Sequence, residues 1–203
     1  MNSLTKVSAP PAHPLEKFRY CPVCGSSRFM PNNFKSKRCD DCGFTYYANA
    51  CSATAAFIRN GRGDLLVAVR GKEPAKGTLD LPGGFVDMDE TAEEGIIREV
   101  LEETGLSISS PHYLFSLPNR YLYSGMVIHT VDMFYEIFVD DDATPHADDD
   151  AAALSWMSLE SIDPARFGLH SISQAVKAYL ANTSNCRDLC MSAAVYGFRT
   201  YIK

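Results

Sequence analysis

The sequence predicts a mixed α/β sandwich preceded by a small four-cysteine metal module. Three observations carry that prediction. Two C-x2-C pairs stand close together near the N-terminus, and strand-like and helix-like segments alternate from residue 51 onward. The 203 residues also exceed one ~150-residue domain by about a third, enough for a medium domain plus an appendage. A chain of this size buries roughly 70% of its unfolded surface, so the larger part needs no covalent staples. Hydrophobic residues at 46% and charged residues at 22% match ordinary globular usage and exclude wholesale disorder. No apolar run approaches the ~20 residues needed to cross a bilayer, and Met1–Phe18 carries no apolar signal core. The expectation is a soluble, cytoplasmic protein.

Residues 1–16, with three prolines, read as a mobile leader. Residues 17–48 follow as the metal module. Cys21-Pro-Val-Cys24 and Cys39-Asp-Asp-Cys42 each run straight into a glycine, Gly25 and Gly43, which lets the backbone turn tightly enough for its amides to approach sulfur. Four thiolates paired in this way suit a closed tetrahedral zinc site. Two disulfides or an iron site are the alternatives, and the lack of export features favours zinc. Arg28, Lys35, Lys37 and Arg38 are placed to offset the surplus negative charge of four thiolates on Zn²⁺. A module this short folds only with its metal. Cys51, Cys186 and Cys190 lack such pairing and read as packing residues or free thiols.

Charge divides the chain in the same way. Residues 1–50 carry seven basic and three acidic side chains, a net +4, while the remainder carries 12 basic and 22 acidic, a net -10. A uniformly basic nucleic-acid binder is therefore disfavoured. An acidic body would repel phosphorylated substrates unless its carboxylates hold divalent cations.

Beyond the module, 51–59 and 64–70 read as strands around the turn signal Asn60-Gly61-Arg62-Gly63. A helix is predicted over 91–104, then strands at 111–117 and 126–139, an acidic loop at 140–150 and a short strand near 154–157. Leu169, Ile172, Ala175, Val176 and Tyr179-Leu180 recur at helical spacing. The tail, 182–203, fits either an added element or a frayed extension.

The 91–104 helix carries the chemistry. Gly105 is its stop. At about 100° per residue, Glu99, Glu102 and Glu103 fall within an arc of roughly 100°. Ile97, Val100 and Leu101 are expected on the opposite, packed side. Like charges at i, i+3 and i+4 repel by a few tenths of a kcal/mol per pair. A divalent cation removes that repulsion and gains oxygen ligands. A solvated Glu-rich face would show the same residues, so this helix alone leaves both readings open.

The surrounding spacing decides between them. Gly84, Glu90, Arg98, Glu99, Val100, Glu102, Glu103, Gly105 and Leu106 fill all nine places of G-x5-E-x7-R-E-U-x-E-E-x-G-U, where U is apolar. A chance match is well below roughly one in a hundred thousand at average residue usage. On these residues the chain resembles the Nudix hydrolase family, over about residues 50–181, with 182–203 as an extension. The resemblance implies an α/β/α sandwich with a mixed sheet. It further implies metal-dependent hydrolysis of a nucleoside diphosphate linked to another moiety. Glu99, Glu102 and Glu103 would ligate Mg²⁺ or Mn²⁺, one of them orienting or deprotonating the attacking water. Glu90 would sit just outside the metal ligands, Arg98 would hold loop and carboxylates together, and Gly83 and Gly84 would admit the phosphate.

A four-Cys ribbon before such a domain is similar to the NADH pyrophosphatase branch, which carries S-Q-P-W-P-F-P-x-S after the box. Here the matching place is Ser116-Leu-Pro118-Asn-Arg-Tyr121-Leu-Tyr-Ser124. Ser116, Pro118 and Ser124 agree and Tyr121 keeps an aromatic, while the Gln, the Trp and two prolines are absent. An NAD(H) or ADP-ribose type of substrate is the expectation. Of Tyr113, Phe115, Tyr121 and Tyr123, Tyr121 is favoured to stack on a base, although strand alternation sends half of them into the core. Arg120 is a candidate phosphate contact or a plain surface arginine. Asp148-Asp149-Asp150 reads as a solvated loop that could add a metal ligand. His129, His146 and His170 are assigned nothing. A non-catalytic nucleotide sensor and an RNA-cap hydrolase with a nucleic-acid-binding ribbon are the competing functions. For the ribbon itself, stability or a homodimer contact is expected ahead of substrate contact.

Overall fold

The computed structural model describes residues 13–147 and 151–193, with side chains left aside at 151 and 184–193. Residues 1–12 of the leader expected at 1–16, Asp148–Asp150 and the final residues 194–203 lie outside the described residues. Contacts divide the chain into two units: Met1–Ala50 with Arg120–His129, and Cys51–Asn119 with Thr130–Lys203. The ranges drawn from sequence do not anticipate that residues 120–129 group with the ribbon.

In the first unit β1 (Phe29–Asn33), β2 (Ser36–Cys39) and β3 (Thr45–Tyr47) form an antiparallel sheet in that order. Cys21, Phe29 and Cys39 are buried together with Phe44 beside them. That core is too small to hold the sheet unaided. Residues 13–16 are not loose: Leu15 is buried and His13 Nε2 lies 2.8 Å from the Asn33 carbonyl. The cations expected to balance the thiolates are partly committed elsewhere. Arg28 pairs with Asp41, and Lys37 is buried, donating to the Phe18 carbonyl at 2.7 Å.

The second unit is built on a six-stranded sheet. Its strands are β4 (Cys51–Arg59), β5 (Leu65–Arg70), β6 (Leu79–Asp80), β7 (His112–Tyr123), β8 (Met126–Phe138) and β9 (Ala151–Met157). The order is β6-β5-β4-β8-β7, with β9 pairing β5. β4 and β8 run parallel from Cys51↔Thr130 to Arg59↔Phe138, and β5 pairs antiparallel with β4, β6 and β9. Both faces are covered, which is why β4 and β5 read as nearly continuous apolar runs. Phe57, Val67 and Phe134 face Ile172, Val176 and Tyr179 of α2 (His170–Ala193). Ala56, Ile58, Leu66, Tyr135 and Ile137 face Ile96 and Val100 of α1 (Ala92–Thr104). The expected α/β/α sandwich is what forms. Among the described residues no helix is long and apolar enough to cross a membrane.

Three features differ from the sequence expectation. α1 buries Gly95, Ile96, Val100 and Thr104, while Leu101 stays 48% exposed and Ile97 is half-buried. The packed stripe is therefore rotated toward the glutamates and borders them instead of opposing them. Ile96 and Val100 enter the core with Ala56, Ile58 and Tyr135 of the sheet, and Leu101 does not join it. Next, β7 runs on to Tyr123, so Ser116–Tyr123 is strand. It turns into β8 at Ser124 and Gly125, with φ of 50° and 73°, the left-handed pair that a tight hairpin turn requires. Finally, α2 continues through the expected extension to Ala193. Cys186 and Cys190 fall on it, but their side chains are outside the described set.

Candidate active site and metal centre

α1 begins where a capping box forms. Thr91 Oγ1 accepts the Glu94 amide at 3.2 Å, and the Glu94 carboxylate accepts the Thr91 amide at 2.8 Å. It stops at Gly105, whose φ of 69° lets its amide reach the Leu101 carbonyl at 2.9 Å. Between these caps stand Arg98, Glu99, Glu102 and Glu103.

The loop ahead of α1 is strung along β4. Ala56 donates to Pro82, Thr54 to Gly84 (both 2.8 Å), and Val86 to Ser52 at 3.1 Å. This close approach dictates the two glycines. A Cβ on Gly83, where φ is 145°, would lie 2.2 Å from the Thr54 carbonyl oxygen. One on Gly84 would lie 2.5 Å from the Glu99 carboxyl group. The Gly83 amide donates to Glu103 Oε2 at 2.9 Å. Two of the four box glutamates, Glu99 and Glu103, thus end against consecutive glycines.

Arg98 ties the rest together. Its Nε and Nη2 form a fork on Glu90 at 2.9 and 3.0 Å, and Nη2 also donates to the Phe85 carbonyl at 3.0 Å. Nη1 donates to both Glu99 at 2.9 Å and Glu102 at 3.1 Å. A bidentate arginine–carboxylate pair fixes orientation as well as charge. Glu90 is held below the ordinary carboxylate range first by Arg98 and then by the Asp87 amide at 2.8 Å. Glu99 moves the other way. Burial pushes its carboxyl group up, Arg98 opposes that, and the negative charges of Glu102 and Asp87 add to the rise. One guanidinium therefore gathers Glu90, Glu99 and Glu102 beside the glycine loop, with Glu103 bound to the loop itself.

All the donors here are carboxylate oxygens, the ligand type that Mg²⁺ and Mn²⁺ select. The small space at Gly84, which a methyl group would fill, leaves room against Glu99. The residues fit such a cation, although Arg98 and the Gly83 amide hold the three glutamates separately.

The cysteines, by contrast, converge directly. Among the described residues, Cys21, Cys24, Cys39 and Cys42 form the group whose ligand atoms all lie within 4.8 Å of one another. Cys21–Cys42 and Cys24–Cys39 have Sγ atoms 3.6 Å apart. A disulfide needs ~2.05 Å, whereas a tetrahedron with Zn–S of ~2.3 Å has edges of about 3.8 Å. The spacing thus fits a metal and not a sulfur–sulfur bond. The two knuckles repeat one geometry. Gly25 donates to the Cys21 carbonyl at 2.9 Å and Gly43 to that of Cys39 at 3.0 Å, with φ of 73° and 74°. Amides of Cys42 and then Asp41 donate to Cys39 Sγ and draw its thiol down to about 7, against the effect of burial.

The expected substrate contacts are distributed differently. Gly83 and Gly84 lie in the carboxylate cluster. Arg120 and Tyr121 lie on the part of β7 that groups with the first unit, and the Tyr121 ring faces Tyr123 at 6.3 Å. Sequence reasoning missed the Phe85 carbonyl, the Asp87 amide and the Thr54 carbonyl, backbone groups that no side-chain motif encodes. It also missed the helix cap, which Thr91-x-x-Glu94 does announce.

Comparison with known proteins places this geometry. A family model described as the NUDIX domain matches residues 50–177. The NAD-capped RNA hydrolase NudC of Haemophilus influenzae (strain PittGG) is 33% identical over 116 residues, 57% of this chain and 44% of that protein. The chain spans about half the length of the curated relatives it matches. A Nudix hydrolase from Nitrosomonas europaea superposes with a TM-score of 0.63 at 18% identity, over 82% of this chain and 93% of that one, a likeness of fold. A bifunctional NMN adenylyltransferase/ADP ribose pyrophosphatase from Francisella tularensis gives a TM-score of 0.52 at 25% identity, over 67% of this chain and 42% of that one. With its nine-place box intact and the family match covering well over half of its length, the chain belongs to the Nudix family.

Proposed function

We propose that this chain hydrolyses the pyrophosphate bond of a nucleoside diphosphate joined to a second moiety, of NAD(H) or ADP-ribose type, using Mg²⁺ or Mn²⁺. The observation that carries this reading is that Glu99 and Glu102 share Arg98 beside Gly84 while Glu103 accepts the adjacent Gly83 amide. In this reading those three glutamates hold the divalent cations. Bound cations neutralise the bridging phosphates and acidify water toward neutral pH. The chain's own residues do the remaining work. Glu90 braces Arg98, Arg98 orients Glu99 and Glu102, and Glu103 is set by the Gly83 amide. One of the three glutamates orients the attacking water or takes its proton. The bare backbone at Gly83-Gly84 lets a phosphate approach, and Arg120 and Tyr121 are the proposed phosphate and base contacts. Water adds to one phosphorus as the bridging oxygen leaves on the other, so a dinucleotide yields two mononucleotides.

Zn²⁺ is the proposed structural ion of the four cysteines. Residues 17–48 and 50–181 serve as ribbon and catalytic domain, and a homodimer would appear as doubled mass on sedimentation. The printed activity of the Haemophilus relative supports a second substrate with the same bond, an NAD cap on an RNA 5′ end. A non-catalytic sensor has no use for an unbroken set of carboxylates. The test is a panel of NADH, NAD⁺, ADP-ribose, nucleotide sugars, dinucleoside polyphosphates and NAD-capped RNA with either cation, products identified by mass. AMP from NADH or ADP-ribose, released only with divalent metal, is expected. Absence of turnover on every substrate would contradict the proposal.

A further inference from the structure

The ribbon sheet has one face that its own core does not use. On one side Phe29, Lys37 and Cys39 point inward and Phe18 packs against Tyr46, ring centroids 6.0 Å apart. The register places Met30 opposite Arg38 and Ser36 opposite Tyr47, all on the other side, where Ser36 alone is buried and accepts from Asn32 Nδ2 at 3.1 Å. There Met30 is 52% exposed, Tyr47 46% and Phe34, on the β1–β2 turn at that end, 82%. Arg38 is exposed on this face and Lys35 half-buried beside it, and neither side chain has an ion pair among the described residues. Ring faces and an unpaired guanidinium on a three-stranded platform are the ingredients of a single-strand nucleic-acid surface. There, bases stack on aromatics while cations follow the phosphates.

Charge suits a polyanion on this face. The first 50 residues carry net +4 against -10 for the rest. Across a two-fold axis the face would set Arg38 near its own duplicate, which repels. We propose that the outer face of the ribbon sheet, through Phe34, Arg38 and Tyr47, binds single-stranded nucleic acid. This deepens the catalytic reading and rests on it for its purpose, since the hydrolysed nucleotide would then be joined to a strand.

The test uses the full-length, zinc-loaded protein and a fluorescein-labelled single-stranded RNA of roughly 12 nucleotides, within the ~4–16 that such surfaces cover. Anisotropy is read across a salt series without Mg²⁺, beside a duplex of the same sequence. The wild type should prefer the single strand. Phe34→Ala and Tyr47→Ala should each weaken it about tenfold, and Arg38→Gln should lower the salt slope by about 0.7. Zinc content and turnover of free NADH should stay unchanged. Wild-type levels of RNA binding in all three variants, no single-strand binding by the wild type, or variants that only break apart a dimer on sedimentation would overturn the inference. Binding without turnover of any substrate in the panel would instead sink the catalytic reading, so the two failures are separable.

Discussion

At the scale of single residues, the site depends on two kinds of group. One kind is charged and visible in the sequence, the other is backbone or a missing Cβ. Glu99, Glu102, Glu103 and Arg98 are legible because their spacing is specific. The Thr54 carbonyl and the Phe85 carbonyl are not, because every residue has one and only the fold selects which is used. Gly84 lies between these cases. Its place in the box is evident, but the reason, a carboxyl group 2.5 Å from where a Cβ would sit, needed coordinates. Gly84→Ala should therefore push Glu99 out of position, lowering turnover by at least tenfold while costing no more than about 1 kcal/mol of stability, because the group displaced is the end of a flexible side chain. Paired kinetics and thermal melts check both. Arg98→Lys keeps the charge and loses the fork on Glu90 and the shared contact with Glu99 and Glu102. It should lower turnover with no change in zinc content, and full activity would show that the fork is dispensable.

At the scale of elements, α1 shows how far periodicity can be trusted. Helix limits and the carboxylate cluster follow from the sequence, yet the packed stripe runs through Ile96 and Val100 and leaves Leu101 outside. An apolar residue at helical spacing does not say which flank the sheet will meet, and the sheet meets Ile96 and Val100. The correction is measurable. Ile96→Ala should cost ~2–5 kcal/mol as a buried truncation, and Leu101→Ala within about 0.5 kcal/mol as a surface change. Thr91→Ala removes the capping hydroxyl and should cost ~1 kcal/mol. Chemical denaturation of the three variants separates them. β6 escaped sequence reading because two residues carry no period, and β7 was under-read because Asn119 and Arg120 interrupt its apolar pattern.

At the scale of the whole molecule, the two units owe their stability to different things. The sandwich buries two cores on either side of one sheet, whereas the ribbon has three buried core residues and four convergent thiols. A chelator strong enough to take zinc should unfold residues 17–48 while the helical signal of α1 and α2 persists, with one zinc ion lost per chain by elemental analysis. Hydrogen exchange would locate the loss. Full protection of the ribbon after complete metal removal would show that its small core suffices. The division of charge between the units is likewise visible in the sequence, but the open face of the ribbon sheet emerged only once the strand register was known.

The most direct measurement is the metal-dependent release of AMP from NADH or ADP-ribose, by mass, in wild type, Glu102→Gln and Glu103→Gln proteins of matched melting temperature. Turnover in the wild type that needs Mg²⁺ or Mn²⁺, and falls in both variants by on the order of 10²-fold or more, is the predicted result. Wild-type turnover in either variant would mean that these carboxylates do not hold the cations that activate water and the phosphate bridge for attack.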